Sequence, residues 1–173
     1  MTRTELHNSK RVKKYLFFIL QSLFFITLTS CEINSSDNGD LDNWWYLRQI
    51  ENLTDGTTTD YVEKKVFWSY IGNIMQTEGG GAGKFLFRFE QKAGTLRLYE
   101  PRYNARGSGD PLLDPSIEAD KKKIDESLPI QGINLKQRSD GSLEEIFTIE
   151  ELNSDRMTLL NEDKTLRLHF EAW

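Results

Sequence analysis

From Trp44 to the C-terminus, apolar and polar residues alternate in short runs, broken by turn residues roughly every eight to twelve positions. Neighbouring side chains on a strand point to opposite faces, so this alternation marks half-buried antiparallel β-structure. In the clearest run, Lys84-Phe85-Leu86-Phe87-Arg88-Phe89-Glu90, the three phenylalanines share one face and Lys84, Arg88 and Glu90 the other. Thr165 to Glu171 repeats it, with Leu166, Leu168 and Phe170 inward and Arg167, His169 and Glu171 outward. The pattern predicts strands over 44–50, 66–71, 84–90, 95–99, 130–136, 145–150, 156–160 and 165–171. Tight-turn chemistry joins several of them: Lys92-Ala93-Gly94, Ser139-Asp140-Gly141-Ser142, Asn153-Ser154-Asp155 and Asn161-Glu162-Asp163-Lys164. Sequential hairpins imply an all-β, up-and-down meander. About eight such strands close into an antiparallel barrel and leave no unpaired edge. A β-sandwich fits the same periodicity.

One stretch breaks the meander. Residues 100–128 hold Pro101, Gly107, Gly109, Asp110-Pro111, Asp114-Pro115 and the run Asp120-Lys121-Lys122-Lys123, with a short helix predicted over 116–127 and Ser116 as its N-cap. It reads either as a variable surface excursion or as a lid or partner-binding loop carrying Arg102, Tyr103, Arg106 and the lysines.

The N-terminal pattern is different. Arg11, Lys13 and Lys14 precede about fourteen mostly apolar residues, Tyr15 to Leu28, which suits a signal-peptide core. As a helix this run would measure about 21 Å, short of a bilayer's hydrocarbon thickness. Leu28-Thr29-Ser30-Cys31 then resembles the lipobox of bacterial lipoproteins: an apolar residue three before the cysteine and small residues beside it. The resemblance implies a leader over 1–30, acylation of Cys31, and anchorage by acyl chains in a cell-envelope membrane, expected to be the outer one. Residues 31–43 are polar and acidic and read as a flexible tether spacing a domain over 44–173 from the bilayer. They are similar to the acidic stretch after the cysteine of surface-exported Bacteroidetes lipoproteins, and equally to a plain solvated linker. The Asp spacing there is too short, and lacks the bidentate Glu, for a calcium loop.

Charge and composition narrow the chemistry. The chain carries a net −5, and removal of a leader holding Arg3, Lys10, Arg11, Lys13 and Lys14 against Glu5 takes this to −9. So acidic a domain repels phosphates, so no nucleic-acid partner is expected and the acyl chains must do the anchoring. A single cysteine excludes a disulfide framework, and two histidines leave little for a metal centre or a histidine-based triad. Gly79-Gly80-Gly81-Ala82-Gly83-Lys84 lacks the leading Gly and the trailing Ser or Thr of a phosphate-binding loop, and reads as a hairpin loop. Glu144-Glu145 and Glu150-Glu151 are adjacent on strands, so the members of each pair face opposite ways and cannot flank one glycosidic bond; they read as solvated edges. No catalytic residue, metal or cofactor is expected.

The opening Trp45 to Ile50, the 85–99 hairpin and the closing 147–170 strands together resemble small lipocalin-like lipoproteins of the Bacteroidetes. The Gly that usually precedes the first-strand Trp by two residues is absent, which leaves open whether Trp44 or Trp45 plugs the barrel. The resemblance implies a non-enzymatic barrel that binds a small apolar or amphipathic ligand, with Trp45, Trp68, Tyr70, Phe87 and Tyr99 as candidate ligand residues by their aromatic character; core packing is the competing role for them. The other readings are a docking module that meets an envelope protein through the 100–128 loop, and a glycan-binding lipoprotein using exposed Trp and Tyr. An open apolar interior would favour carriage, a filled interior with an ordered loop docking, and exposed aromatic pairs glycans.

Overall fold

The computed structural model describes residues 38–104 and 109–173. The leader, Cys31, the start of the tether and Arg106 lie outside the described residues. The described residues form ten strands: β1 (Trp44–Asn52), β2 (Thr57–Asp60), β3 (Phe67–Ile71), β4 (Ile74–Glu78), β5 (Lys84–Lys92), β6 (Thr95–Tyr103), β7 (Lys136–Gln137), β8 (Leu143–Leu152), β9 (Arg156–Asn161) and β10 (Leu166–Ala172). Eight of them run in the order β1-β3-β4-β5-β6-β8-β9-β10, every neighbouring pair antiparallel, and β10 pairs back to β1 from Trp45↔Ala172 to Asn52↔Leu166. The meander is therefore a closed barrel, and the sandwich alternative falls.

β2 and β3 act as one interrupted strand. β2 lies along the second half of β1 and β3 along the first half, separated by a 3-10 turn (Val62–Lys64). β2 was not anticipated because all four of its residues are exposed, so it has no apolar face to read. β4 was also missed: of its inward residues, Met75 and Thr77, only one is apolar.

The expected strand over 130–136 is the clearest correction. The chain there leaves a helical segment, α1 (Glu118–Lys122), a π-helical turn (Lys123–Ser127) and α2 (Leu128–Ile130), then turns through Gly132 at φ +83°; only Lys136–Gln137 forms a ladder, with β8. Its alternating apolar residues face the barrel from one end instead of lying in its wall. The helical segment outlasts the predicted 116–127, and Ser116 is not its N-cap. Ser116 instead donates to Asp114 Oδ1 through its backbone N–H (2.8 Å) and hydroxyl (2.7 Å), an Asx-type turn ahead of the helix.

The periodicity is otherwise obeyed. Phe85, Phe87, Phe89, Leu96, Leu98, Phe147, Met157, Leu159, Leu168 and Phe170 all point into one core. Trp45 rather than Trp44 is the buried tryptophan of the first strand, and its Nε1 donates to the carbonyl of Leu41 at 3.1 Å. Leu41 is fully buried in a 3-10 turn (Gly39–Leu41), while Asn38 Nδ2 donates to the Gly72 carbonyl at 2.8 Å. The last residues of the expected tether are thus packed as the closure of one end of the barrel.

Candidate functional site

A barrel of eight strands has two mouths, and a carrier needs one of them open. The end where the 3-10 turn Gly39–Leu41 lies is shut by Leu41 and Trp45. At the other end the loops β1–β2, β4–β5 and β9–β10 surround the segment that follows α2, and there Leu128, Gln131 and Ile133 are fully buried. Gln131 holds this plug in place: its side-chain Nε2 donates to the carbonyls of Gly79 (3.1 Å) and Gly83 (2.8 Å), and its backbone carbonyl accepts from Trp68 Nε1 at 3.0 Å. Close approach of backbone to side chain completes the fit. A Cβ on Gly80 would stand 2.6 Å from Ile130 Cγ2, and one on Gly132 would stand 2.6 Å from Leu168 Cδ2. The glycine run reads correctly as a hairpin loop, since it joins β4 to β5.

The five candidate ligand residues do not share a pocket. Trp45, Trp68, Tyr70 and Phe87 are all buried in the core. The Trp68 ring packs 4.9 Å from Phe170 and 5.7 Å from Phe147, and the Tyr70 ring 5.0 Å from Phe89. Tyr99 is on the opposite face: Leu96 and Leu98 point inward, so the pleat turns Tyr99 outward, where the Arg97 guanidinium covers its ring at 4.7 Å.

Tyr99 lines a groove of about 350 Å³ on the outside of the barrel, with Pro101, Leu112, Leu113, Pro115 and Leu143 as apolar walls and Arg97 and Glu100 at the rim. Its origin is topological. β8 covers β6 only from Thr95 to Tyr99, which leaves the edge of β6 beyond Tyr99 unpaired. The long loop caps that edge: Leu113 N–H donates to the Pro101 carbonyl at 2.8 Å, Tyr103 N–H to the Pro111 carbonyl at 3.2 Å, and Arg102 bridges to Leu112. Leu112 remains 49% exposed. A wider depression of about 670 Å³ lies beside the glycine loop, lined by Glu78, Gly79, Gly81, Gly83, Lys84, Tyr103 and Asn104.

Glu144 and Glu145 face opposite ways as expected, but neither is solvated. Glu144, pointing outward, accepts from Arg97 Nε (2.5 Å) and Arg138 Nε (2.6 Å), and Arg138 also forks onto Glu162 at 3.2 and 2.7 Å. Glu145 points inward, is fully buried, and neither carboxylate oxygen has a hydrogen-bond partner. Burial pushes its carboxyl up to about 8; Lys136 and Arg138 oppose the rise, and Asp163 and Glu162 add to it. It is therefore protonated at neutral pH. Burial likewise raises the Tyr70 hydroxyl far above its ordinary range. His169 is outward and part-exposed, with Nε2 3.8 Å from Glu51. Among the described residues no group of three or more His, Cys, Asp or Glu is placed to hold a metal ion.

A model of the lipocalin-like domain family matches residues 26–172. The chain belongs to that family. Among solved structures, a lipocalin-like protein from Bacteroides uniformis superposes on this lipocalin-like domain with a TM-score of 0.50 at 19% identity, covering 78% of this chain and 100% of that one. An uncharacterized protein from Bacteroides eggerthii gives a TM-score of 0.49 at 18% identity over 76% of this chain and 98% of its own. No curated relative matches the sequence. The lipocalin-like fold carries a capacity for ligand binding; the plug decides where on this domain such binding has room.

Gln131, Gly132, Ile133 and Glu145 are the residues sequence reasoning missed. The signal that could have found the first three is Pro129 followed by Gly132, a pair unsuited to a central strand.

Proposed function

We propose that this lipocalin-like domain is a non-enzymatic binding module of the cell envelope, anchored by acyl chains on Cys31, that engages an envelope protein from its outer surface around the long loop. The observation that carries this reading is the plug: Leu128, Gln131 and Ile133 occupy the mouth that a carrier would leave open. The Tyr99 groove beneath the loop is the partner surface, apolar in its walls and charged at its rim. A second reading, capture of a small amphipathic molecule, is favoured by the volume of that same groove, which lies at the lower end of small-ligand sites.

Two experiments test it. Cys31→Ser is expected to move the protein from the membrane to the soluble fraction, because acyl chains stand in for a spanning helix; retention after an alkaline wash would refute the anchor. Native mass spectrometry of the full-length protein extracted from its own membranes is expected to show a complex with an envelope protein, present for the native chain and reduced at least about tenfold for Leu112→Asp. Leu112 is half-exposed, so that change leaves stability within about 0.5 kcal/mol. A stoichiometric small-molecule adduct lost in Leu112→Asp, with no protein bound, would replace docking by ligand capture.

A further inference from the structure

The outer face of β1 and β3 carries an aromatic cluster that the core does not use. Tyr46 stacks on Phe67 at 4.9 Å, Trp173 meets Tyr46 edge-on at 5.6 Å and Phe67 at 5.2 Å, and Trp44 meets Phe67 at 6.4 Å. The C-terminal residue is held there by its backbone N–H, which donates to the Trp44 carbonyl at 2.8 Å. The cluster is not closed over: Trp44 is 44% and Trp173 77% exposed, and Ile71, in the β3–β4 hairpin on the same face, is 71% exposed. Large apolar side chains gathered on one exposed face mark a contact surface.

Where the chain enters the fold says what that contact is. Asn38 Nδ2 bonds the carbonyl of Gly72, in the turn that presents Ile71. Cys31 is seven residues earlier in the sequence, a reach of at most about 25 Å from this turn. The exposed tryptophans therefore stand at the end of the barrel that is leashed to the acylated residue. Tryptophan and tyrosine suit the headgroup region of a bilayer, where a ring has an apolar body and a polar edge to satisfy at once.

We infer that the Trp44, Phe67, Ile71 and Trp173 face of the barrel lies on the lipid surface, seating the domain against the bilayer beside its acyl anchor. This rests on the anchor reading above, and names the surface through which the domain meets the membrane. It also leaves the plugged end and the long loop, at the opposite mouth, directed away from the bilayer.

The four tryptophans make the test direct, because Trp45 and Trp68 are fully buried while Trp44 and Trp173 are exposed. The acylated protein, beginning at Cys31, is reconstituted into phosphatidylcholine vesicles with plain or shallow-brominated acyl chains. Flotation and tryptophan emission are then read together. The expected result is flotation with quenching of roughly half the emission by the brominated lipid, and loss of that quenching in the Trp44→Ser, Trp173→Ser double variant, which still floats. Flotation with unquenched, iodide-accessible tryptophans would overturn the seating and assign the cluster to a sugar or protein partner, while leaving the anchor intact. Failure of the acylated native protein to float would overturn the anchor and the seating together.

Discussion

Gly79→Ala is expected to destabilise the domain by about 3 kcal/mol or more, while Gly81→Ala, two residues on in the same loop, costs about 1 kcal/mol. Both glycines have left-handed backbones, at φ +110° and +74°. What separates them is space. A Cβ on Gly79 would lie 1.9 Å from the Lys65 carbonyl oxygen and 2.8 Å from Val66 Cα, backbone atoms that cannot swing away, whereas a Cβ on Gly81 meets nothing within 4 Å. Gly81→Ala therefore bears only the conformational penalty of a non-glycine residue at positive φ. Gly79→Ala must also push apart the β4–β5 loop and the turn before β3, and with them the carbonyl that Gln131 uses to hold the plug. Urea unfolding monitored by tryptophan fluorescence separates the two, and equal midpoints for the two variants would show that the loop is not seated against Lys65.

The second large effect is a pH dependence written into Glu145. With its carboxyl pushed up to about 8 from an ordinary 4.5, the folded protein holds a proton that the unfolded chain releases between these values. The unfolded state binds fewer protons in that window, so this group's contribution to stability is complete below pH 4.5, falls as the pH rises, and is gone above about 8. At about 1.4 kcal/mol per unit the total is a few kcal/mol. Glu145→Gln keeps the shape and removes the titration, so the variant's stability relative to the native chain should rise steadily from pH 5 to pH 8.5. Taking the difference cancels exposed carboxyls such as Asp55, Asp114 and Asp140, whose hydrogen bonds to Thr57, Ser116 and Ser142 hold them below the usual range. Parallel urea midpoints for the two proteins across that range would mean that the carboxylate ionises against a partner inside the barrel.

Both predictions concern residues whose importance was poorly legible beforehand. Phe85, Phe87 and Phe89, and Leu166, Leu168 and Phe170, declared their strands because each set needs only its own pleat to be understood. Thr57 to Asp60 declared nothing, since an all-exposed strand is held by the backbone of β1 and not by a face of its own. Ile130, Ile133 and Leu135 misled because their spacing suits a strand edge as well as a plug. Aromatic character singled out Trp45, Trp68, Tyr70, Phe87 and Tyr99 without distinguishing the four in the core from the one in the outer groove. Glu145 looked like half of a solvated pair until closure of the sheet placed one member under Arg97 and Arg138 and the other in the interior.

The alternation of side chains every second residue and the chemistry of tight turns are local properties, and they suffice to specify an antiparallel β-chain, its main core face and most of its hairpins. The distribution of charge and the placing of one cysteine, also readable residue by residue, set the expectation of an acidic domain behind a lipid anchor. Whether the barrel is open or filled was decided only by tertiary structure. The answer depends on volumes and close approaches between residues far apart in the chain: Ile130 over Gly80, Gly132 against Leu168, Gln131 between Trp68 and the glycine loop. The aromatic face of Trp44, Phe67 and Trp173 arose in the same way, because pairing of β1 with both β3 and β10 is what brings these three rings together.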